Sequence, residues 1–155
     1  MKRILSALVI FLLNFSIFPQ EAQKTCSFEK NNSVASNFNV GDIGPGGGII
    51  FYIKNQNVWE CSKVIGKKNW EDAKNLCKNY RAGGFDDWYL PSKDELNYIY
   101  RNLKKIEKIS REGCFWSSLE LNESYSWVQS FCAGSKSVSC KDNVYFVRAV
   151  RKFSY

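Results

Sequence analysis

The sequence predicts an α+β domain, two helices flanking small antiparallel sheets and held by disulfides. Three observations carry that expectation. Residues 69–80 and 92–105 place apolar side chains at helical spacing. The segments on either side, residues 49–53 and 114–153, are rich in β-branched and aromatic residues, the make-up of strands. Six cysteines (Cys26, Cys61, Cys77, Cys114, Cys132 and Cys140) all follow an apolar leader, an even set that export would deliver to an oxidising compartment.

The leader sets the expected compartment. Lys2 and Arg3 precede an almost unbroken apolar run over residues 4–18, long enough for a signal-peptide core and shorter than the roughly 20 residues of a membrane span. Residues 1–22 therefore read as a signal peptide, with Ala22 the best local cleavage site, and no transmembrane segment is left after cleavage. A retained membrane anchor is one rival. Another is a lipid anchor on Cys26, against which Gln23, Lys24 and Thr25 are the wrong residues to precede a lipid-carrying cysteine. The expected location is secreted, periplasmic or cell-surface. Residues 23–39 are polar and read as a tether, and residues 40–155 as one domain, a length that supports a single core.

Within the domain, residues 40–48 (VGDIGPGGG) hold four glycines and a proline within five positions, a tight irregular turn. A phosphate-binding loop would end in Gly-Lys-Ser/Thr and open a helix; here a strand, IIFYI, follows. Asn69 caps the first helix, Glu71 and Asp72 sit in its positive first turn, and Trp70, Ala73, Leu76, Cys77 and Tyr80 share its inner face. Ser92 and Glu95 form a capping box for the second helix, whose stripe is Leu96, Ile99, Tyr100 and Leu103, ending near Lys105. After Gly113 come strands CFWSS and SYSWVQSF, a polar turn AGSKSVS, and a final strand in which Val144, Phe146, Arg148 and Val150 alternate with Tyr145, Val147, Ala149 and Arg151.

Catalysis finds little support. The chain has no histidine, the commonest general base, and no carboxylate is placed beside a nucleophile. The expectation is no enzyme, no cofactor and no metal. Asp86, Asp87, Asp94 and Glu95 are the densest acids, but a turn and a helix start account for them better than calcium ligation. The formal charge of +7 falls to +5 without Lys2 and Arg3 of the leader, which favours anionic partners moderately and also serves plain solubility. Nucleic acid is not expected, since no nucleic-acid motif is present.

Two sets of residues are binding candidates. Arg101, Lys104, Lys105, Lys108 and Arg111 form the densest basic stretch, a cradle for sulfates or simply a solvated helix end. Trp116, Tyr125, Trp127 and Tyr145 offer stacking surfaces for sugar rings, or alternatively belong to an aromatic core. For the disulfides, Cys132 with Cys140 is the expected hairpin bridge, worth about 2–3 kcal/mol. Cys61 with Cys77 and Cys26 with Cys114 complete the set.

Several of these segments occur together, and in this order, in one family. GDIGPGGGIIFY, the helix ending in a cysteine, GGFDDWYLPSKDEL, FWSS and YFVRAVR resemble the Lcl C-terminal domain family, bacterial exported domains of largely unknown function, over residues 40–153. The resemblance implies a C-type-lectin-like fold with the N- and C-terminal strands brought together. In the namesake adhesin such a domain contributes to binding sulfated polysaccharides and host surfaces. Glu-Pro-Asn, Gln-Pro-Asp and Trp-Asn-Asp, the calcium-dependent sugar-binding tripeptides of that fold, do not occur here. Ala149 stands where many such domains carry the partner of the helix cysteine, so Cys77 lacks that partner. The formylglycine-generating relatives need a copper-binding cysteine pair, onto which Cys132 and Cys140 do not map. The expected function is an exported, non-catalytic, adhesin-like binding module for a polysaccharide or protein ligand at the cell surface. The alternatives are a structural cell-envelope component and an enzyme of the formylglycine-generating group.

Overall fold

The computed structural model describes residues 37–103 and 113–155, apart from the side chain of Leu103. The leader, most of the polar tether, Cys26, Lys104, Lys105, Lys108 and Arg111 lie outside the described residues.

The chain enters through the glycine turn into β1 (Ile49–Lys54), which folds back on β2 (Asn57–Cys61). Asn55 and Gln56 both take positive φ, 49° and 63°, as a two-residue hairpin turn requires. A short β3 (Gly66–Lys68) leads to α1 (Trp70–Lys78) and then α2 (Lys93–Leu103). β4 (Cys114–Glu120), β5 (Tyr125–Ser130) and β6 (Lys136–Cys140) form an antiparallel meander. β7 (Tyr145–Val147) and β8 (Val150–Ser154) close the fold. One sheet has the order β1-β2-β8 and the other β3-β7-β4-β5-β6. The N- and C-terminal strands thus share a sheet, each pairing with β2 rather than with each other.

Both helices follow their sequence signals. The Asn69 Oδ1 accepts the Asp72 N–H at 2.9 Å, and Trp70, Ala73 and Cys77 are buried. At α2, the Ser92 N–H donates to Glu95 at 2.8 Å and the Glu95 N–H to the Ser92 hydroxyl at 3.2 Å, the reciprocal capping box. The helices cover two apolar clusters. Leu96 and Ile99 of α2 pack with Ile49, Phe51, Phe115, Phe131 and Val150. Ala73 and Cys77 of α1 pack with Trp88, Leu90, Trp116, Val128 and Val147.

The C-terminal region departs from expectation in two ways. The polar segment expected to be a turn contains β6, whose Lys136–Cys140 pair along β5. The expected single last strand is two, because the chain crosses from one sheet to the other at Arg148 and Ala149. Ser62 pins that crossing: its N–H donates to the Ala149 carbonyl and its hydroxyl accepts the Ala149 N–H, both at 2.9 Å. Its carbonyl accepts the buried Arg148 guanidinium at 2.8 Å. The crossing shifts the environment of the neighbouring residues, so Val144 is exposed while Arg148 is buried.

At the centre of the first sheet the fully buried Glu60 holds the glycine turn. Its carboxylate accepts the N–H groups of Gly46 and Gly48, each at 2.9 Å, and the Arg151 guanidinium at 2.7 Å. Arg151 also forks onto Asp87, at 2.6 and 3.1 Å, and lies 3.7 Å from the centre of the Phe85 ring. A methyl group at Gly46 would stand 2.6 Å from the Glu60 carboxylate and 2.7 Å from Trp88, so only glycine fits there. Gly83, at φ +61°, backs directly onto the Gly46 backbone.

Removing one partner of this cluster leaves a buried charge unpaired. Arg151→Met is expected to cost about 3–5 kcal/mol, read from the urea midpoint at constant m-value. The Arg151 hydrogen bonds hold the Asp87 carboxyl below its ordinary range. Its contribution is therefore complete above the unfolded pKa of about 4 and is lost as pH falls through the folded value. With Asp87 half-exposed, Asp87→Asn is expected to remove no more than about 1 kcal/mol of acid-sensitive stability, measured by urea unfolding between pH 2 and 7.

Candidate functional site

Lys74 and Lys78 stand one helical turn apart on α1, and both line the same opening. Facing them is the segment Trp88, Tyr89 and Leu90, and Ser118 at the end of β4 closes the edge. Together these six residues line an open cleft of about 350 Å³, in the size range of small-ligand sites.

Long-range backbone bonds put the walls in place. Tyr89 exchanges N–H···O bonds with Val150 at 2.8 and 2.9 Å, which fastens the segment to the first sheet. The Ser118 N–H donates to the Pro91 carbonyl at 2.8 Å, and the Trp70 indole donates to the Ser117 carbonyl at 2.8 Å, which fastens β4 to Pro91 and α1. The Tyr89 hydroxyl donates to Glu95 at 2.7 Å, so the capping box of α2 also orients the ring. Burial, then the Glu95 carboxylate, push the Tyr89 phenol well above its ordinary range, and the hydroxyl stays protonated.

The electrostatics of the cleft are cationic. Lys74 bonds Glu71 at 2.9 Å across an exposed i,i+3 pair, and such a pair is weak enough to yield to a ligand. Lys74 also lies 3.8 Å over the Trp70 ring. Trp88 and Leu90 are almost fully buried, while Tyr89 is 37 % exposed. The arrangement can hold a molecule with an apolar face and anionic substituents. Its wall residues were not singled out as a site by sequence reasoning; the available signal was the i,i+4 lysine pair on α1.

The sequence-predicted candidates are dispersed. Arg101 is exposed on α2, and its four basic companions lie outside the described residues. Trp116 is no stacking surface: it is fully buried, its indole bonded to the Lys68 carbonyl at 2.9 Å. Tyr145 packs edge-on against Trp116 and bonds the Ser139 hydroxyl at 3.0 Å. Tyr125 and Trp127 do share one face of β5, with Lys93 3.4 Å over the Trp127 ring. Exposed Leu119, Leu121 and Val138 lie on β4, just past its end, and on β6.

The acids serve structure. Asp87 holds Arg151 and Glu95 caps α2. Among the described residues, no three Cys, Asp or Glu side chains converge as metal ligands would. No described helix is long and apolar enough to cross a membrane.

Two expected disulfides are not seen: Cys61, Cys77, Cys132 and Cys140 are all free thiols. Cys132 lies in the turn between β5 and β6, whereas Cys140 pairs across from Tyr125 at the far end of β6. Four strand residues, about 13 Å, separate Cys140 from the turn end of that strand, beyond any disulfide. Cys61 and Cys77 belong to different apolar clusters. The thiol of Cys77 instead meets the Arg148 carbonyl at 3.5 Å, beside Ala149. The third pair includes Cys26 and lies outside the described residues.

The model of the Lcl C-terminal domain matches residues 52–151. No curated protein matches the chain. Among solved structures, the snake venom toxin convulxin aligns at 14% identity and TM-score 0.42, over 67% of this chain and 94% of its own. Botrocetin aligns at 12% and 0.43, over 74% and 100%. EMS16, an antagonist of collagen receptor integrin α2β1, aligns at 18% and 0.40, over 67% and 95%.

Burial pushes the thiols of both Cys61 and Cys77 up to about 12. In the reduced, folded protein at pH 8 they are expected to resist alkylation by iodoacetamide while exposed Cys132 reacts, and to react only after denaturation, as mass spectrometry will read.

Proposed function

From the premise that the chain belongs to the Lcl C-terminal domain family, we propose that it is an exported, non-catalytic binding module for anionic saccharides. The observation that carries this reading is the cleft that Lys74 and Lys78 line together with Trp88, Tyr89, Leu90 and Ser118. A sulfate or carboxylate on a sugar takes charge-assisted hydrogen bonds from the two ammonium groups. The ring of the same sugar lies against Tyr89, Trp88 and Leu90. We read the two-sheet, two-helix architecture as C-type-lectin-like, with ligand recognition independent of calcium.

The non-catalytic reading rests on the chemistry of the groups at hand. There is no histidine. Asp87 is held ionised by Arg151, and the buried thiols of Cys61 and Cys77 stay protonated, so these groups make poor general acids, bases or nucleophiles. Residues 40–155 hold 18 Lys and Arg against 13 Asp and Glu, and this net +5 draws polyanions toward the domain before any specific contact forms.

Retention on immobilised heparin, a sulfated polysaccharide, tests the reading across a salt gradient. Lys74→Ala with Lys78→Ala is expected to elute at lower salt and to bind heparin fragments more weakly by roughly tenfold per lysine, the effect of losing about 1.5 kcal/mol at each charged contact. A variant with Lys104, Lys105 and Lys108 changed to Ala removes more charge and is expected to keep most of the fragment affinity. The reverse result would move the site to the basic segment and end the cleft reading. Unchanged retention in both would place the anion site elsewhere and end the cleft reading, and a wild type not held at physiological salt would end the polyanion reading.

A further inference from the structure

We infer that Cys114 and Cys132 form an intramolecular disulfide that ties the start of β4 to the turn after β5. The register carries the argument. Cys114 pairs directly across from Ser130, so the residue two positions beyond Ser130 is its diagonal neighbour on the same face. That residue is Cys132. Alternation holds through the intervening position: Phe115 pairs with Gln129, and Phe131, two beyond Gln129, stacks on Phe115 with ring centres 4.3 Å apart. The two phenylalanines stand in the same diagonal relation as the two cysteines, one residue along and on the opposite face, and they touch.

Local bonds fix the approach. The Phe131 N–H donates to the Gly113 carbonyl at 2.8 Å, and the Gly113 N–H donates to the Cys132 sulfur at 3.4 Å. The Cys132 sulfur therefore already sits against the residue preceding Cys114. Diagonal Cα atoms are about 7–8 Å apart in a flat ladder, and disulfides span up to about 6.8 Å. Both thiols are free in the structure. Gly113 takes φ +85° where the chain enters β4 and Cys132 is exposed in its turn, so a backbone shift of about 1 Å there would bring the pair within disulfide reach. Cys114 has no better partner among the described thiols, since Cys61 and Cys77 are fully buried within the core and Cys140 lies at the opposite end of the ribbon.

The chemistry is a thiol–disulfide exchange. The exposed Cys132, as thiolate, attacks one sulfur of a dithiol oxidant's disulfide, breaking that S–S bond and forming a mixed disulfide. Cys114 then displaces the oxidant's sulfur. The two protein thiols are oxidised to one disulfide, the oxidant's disulfide is reduced to two thiols, and the protons pass from the former to the latter.

The test equilibrates the protein with a mixture of reduced and oxidised glutathione, blocks remaining thiols with iodoacetamide and maps the peptides without reduction. Trypsin leaves both cysteines in one peptide, residues 112–136, so cleavage after Glu120 and Glu123 is added to separate them. The expected result is two fragments, one with Cys114 and one with Cys132, that stay joined until reduced. A second measurement compares thermal unfolding with and without reductant: the wild type is expected to lose Tm on reduction, while a Cys114→Ser, Cys132→Ser double variant has a Tm that reductant lowers less. Alkylation of both cysteines would overturn the inference. So would Cys132 joined to Cys26, to Cys140 or to a second chain.

Discussion

The buried contact between Arg151 and Glu60 is the constraint on which the rest of the molecule depends. Glu60 is wholly enclosed in the central strand of the first sheet, where an unpaired carboxylate would be very costly. Three donors satisfy it, two from the glycine turn and one from β8. The same guanidinium reaches out to Asp87 and so fixes the segment that continues into Trp88, Tyr89 and Leu90. One charge thereby links four stretches distant in sequence: the glycine turn, β2, the loop after α1 and β8. Three of the segments that mark the family resemblance, GDIGPGGGIIFY, GGFDDWYLPSKDEL and YFVRAVR, converge on this cluster. Their repeated glycines make room for a carboxylate instead of holding a phosphate.

The cleft is a by-product of that architecture. Tyr89 is positioned on one side by β8 and on the other by the cap of α2, and Leu90 and Trp88 are held in the core beneath it. The lysines come from the solvent side of α1, whose inner face is anchored by Trp70 and Cys77. Rigid walls and long cationic side chains are combined in one place. Such a surface lets the wall shape select a ring while the ammonium groups follow the charge.

How much of this was legible in the sequence differs by element. The helices were, because their caps and stripes are local signals. Asn69, Ser92 and Glu95 do in space what their spacing announces. β2 was not, because Glu60 points inward and destroys the alternation a strand should show. β6 was hidden by its polar residues, acceptable at the edge of a sheet. The break in the last strand was invisible because residues on both sides are apolar; Ser62, 87 positions away, decides it. The cleft was missed for a related reason. Lys74 and Lys78 look like an ordinary solvated face until Tyr89 and Ser118 arrive from elsewhere in the chain. Trp116, which the sequence leaves open between a stacking surface and an aromatic core, is held in the core by the Lys68 carbonyl 48 positions before it.

The separation of Glu60 from Arg151 by 91 residues also bears on the order in which the chain folds. Until β8 has been synthesised, Glu60 has no guanidinium, the glycine turn has no closed frame, and β2 offers a bare edge. Each helix can form early from its own caps, but the first sheet cannot be completed piecemeal as the chain emerges. Contacts of such long range make for slow, concerted closure rather than stepwise growth. A nascent chain of this kind remains loosely structured until its last strand arrives.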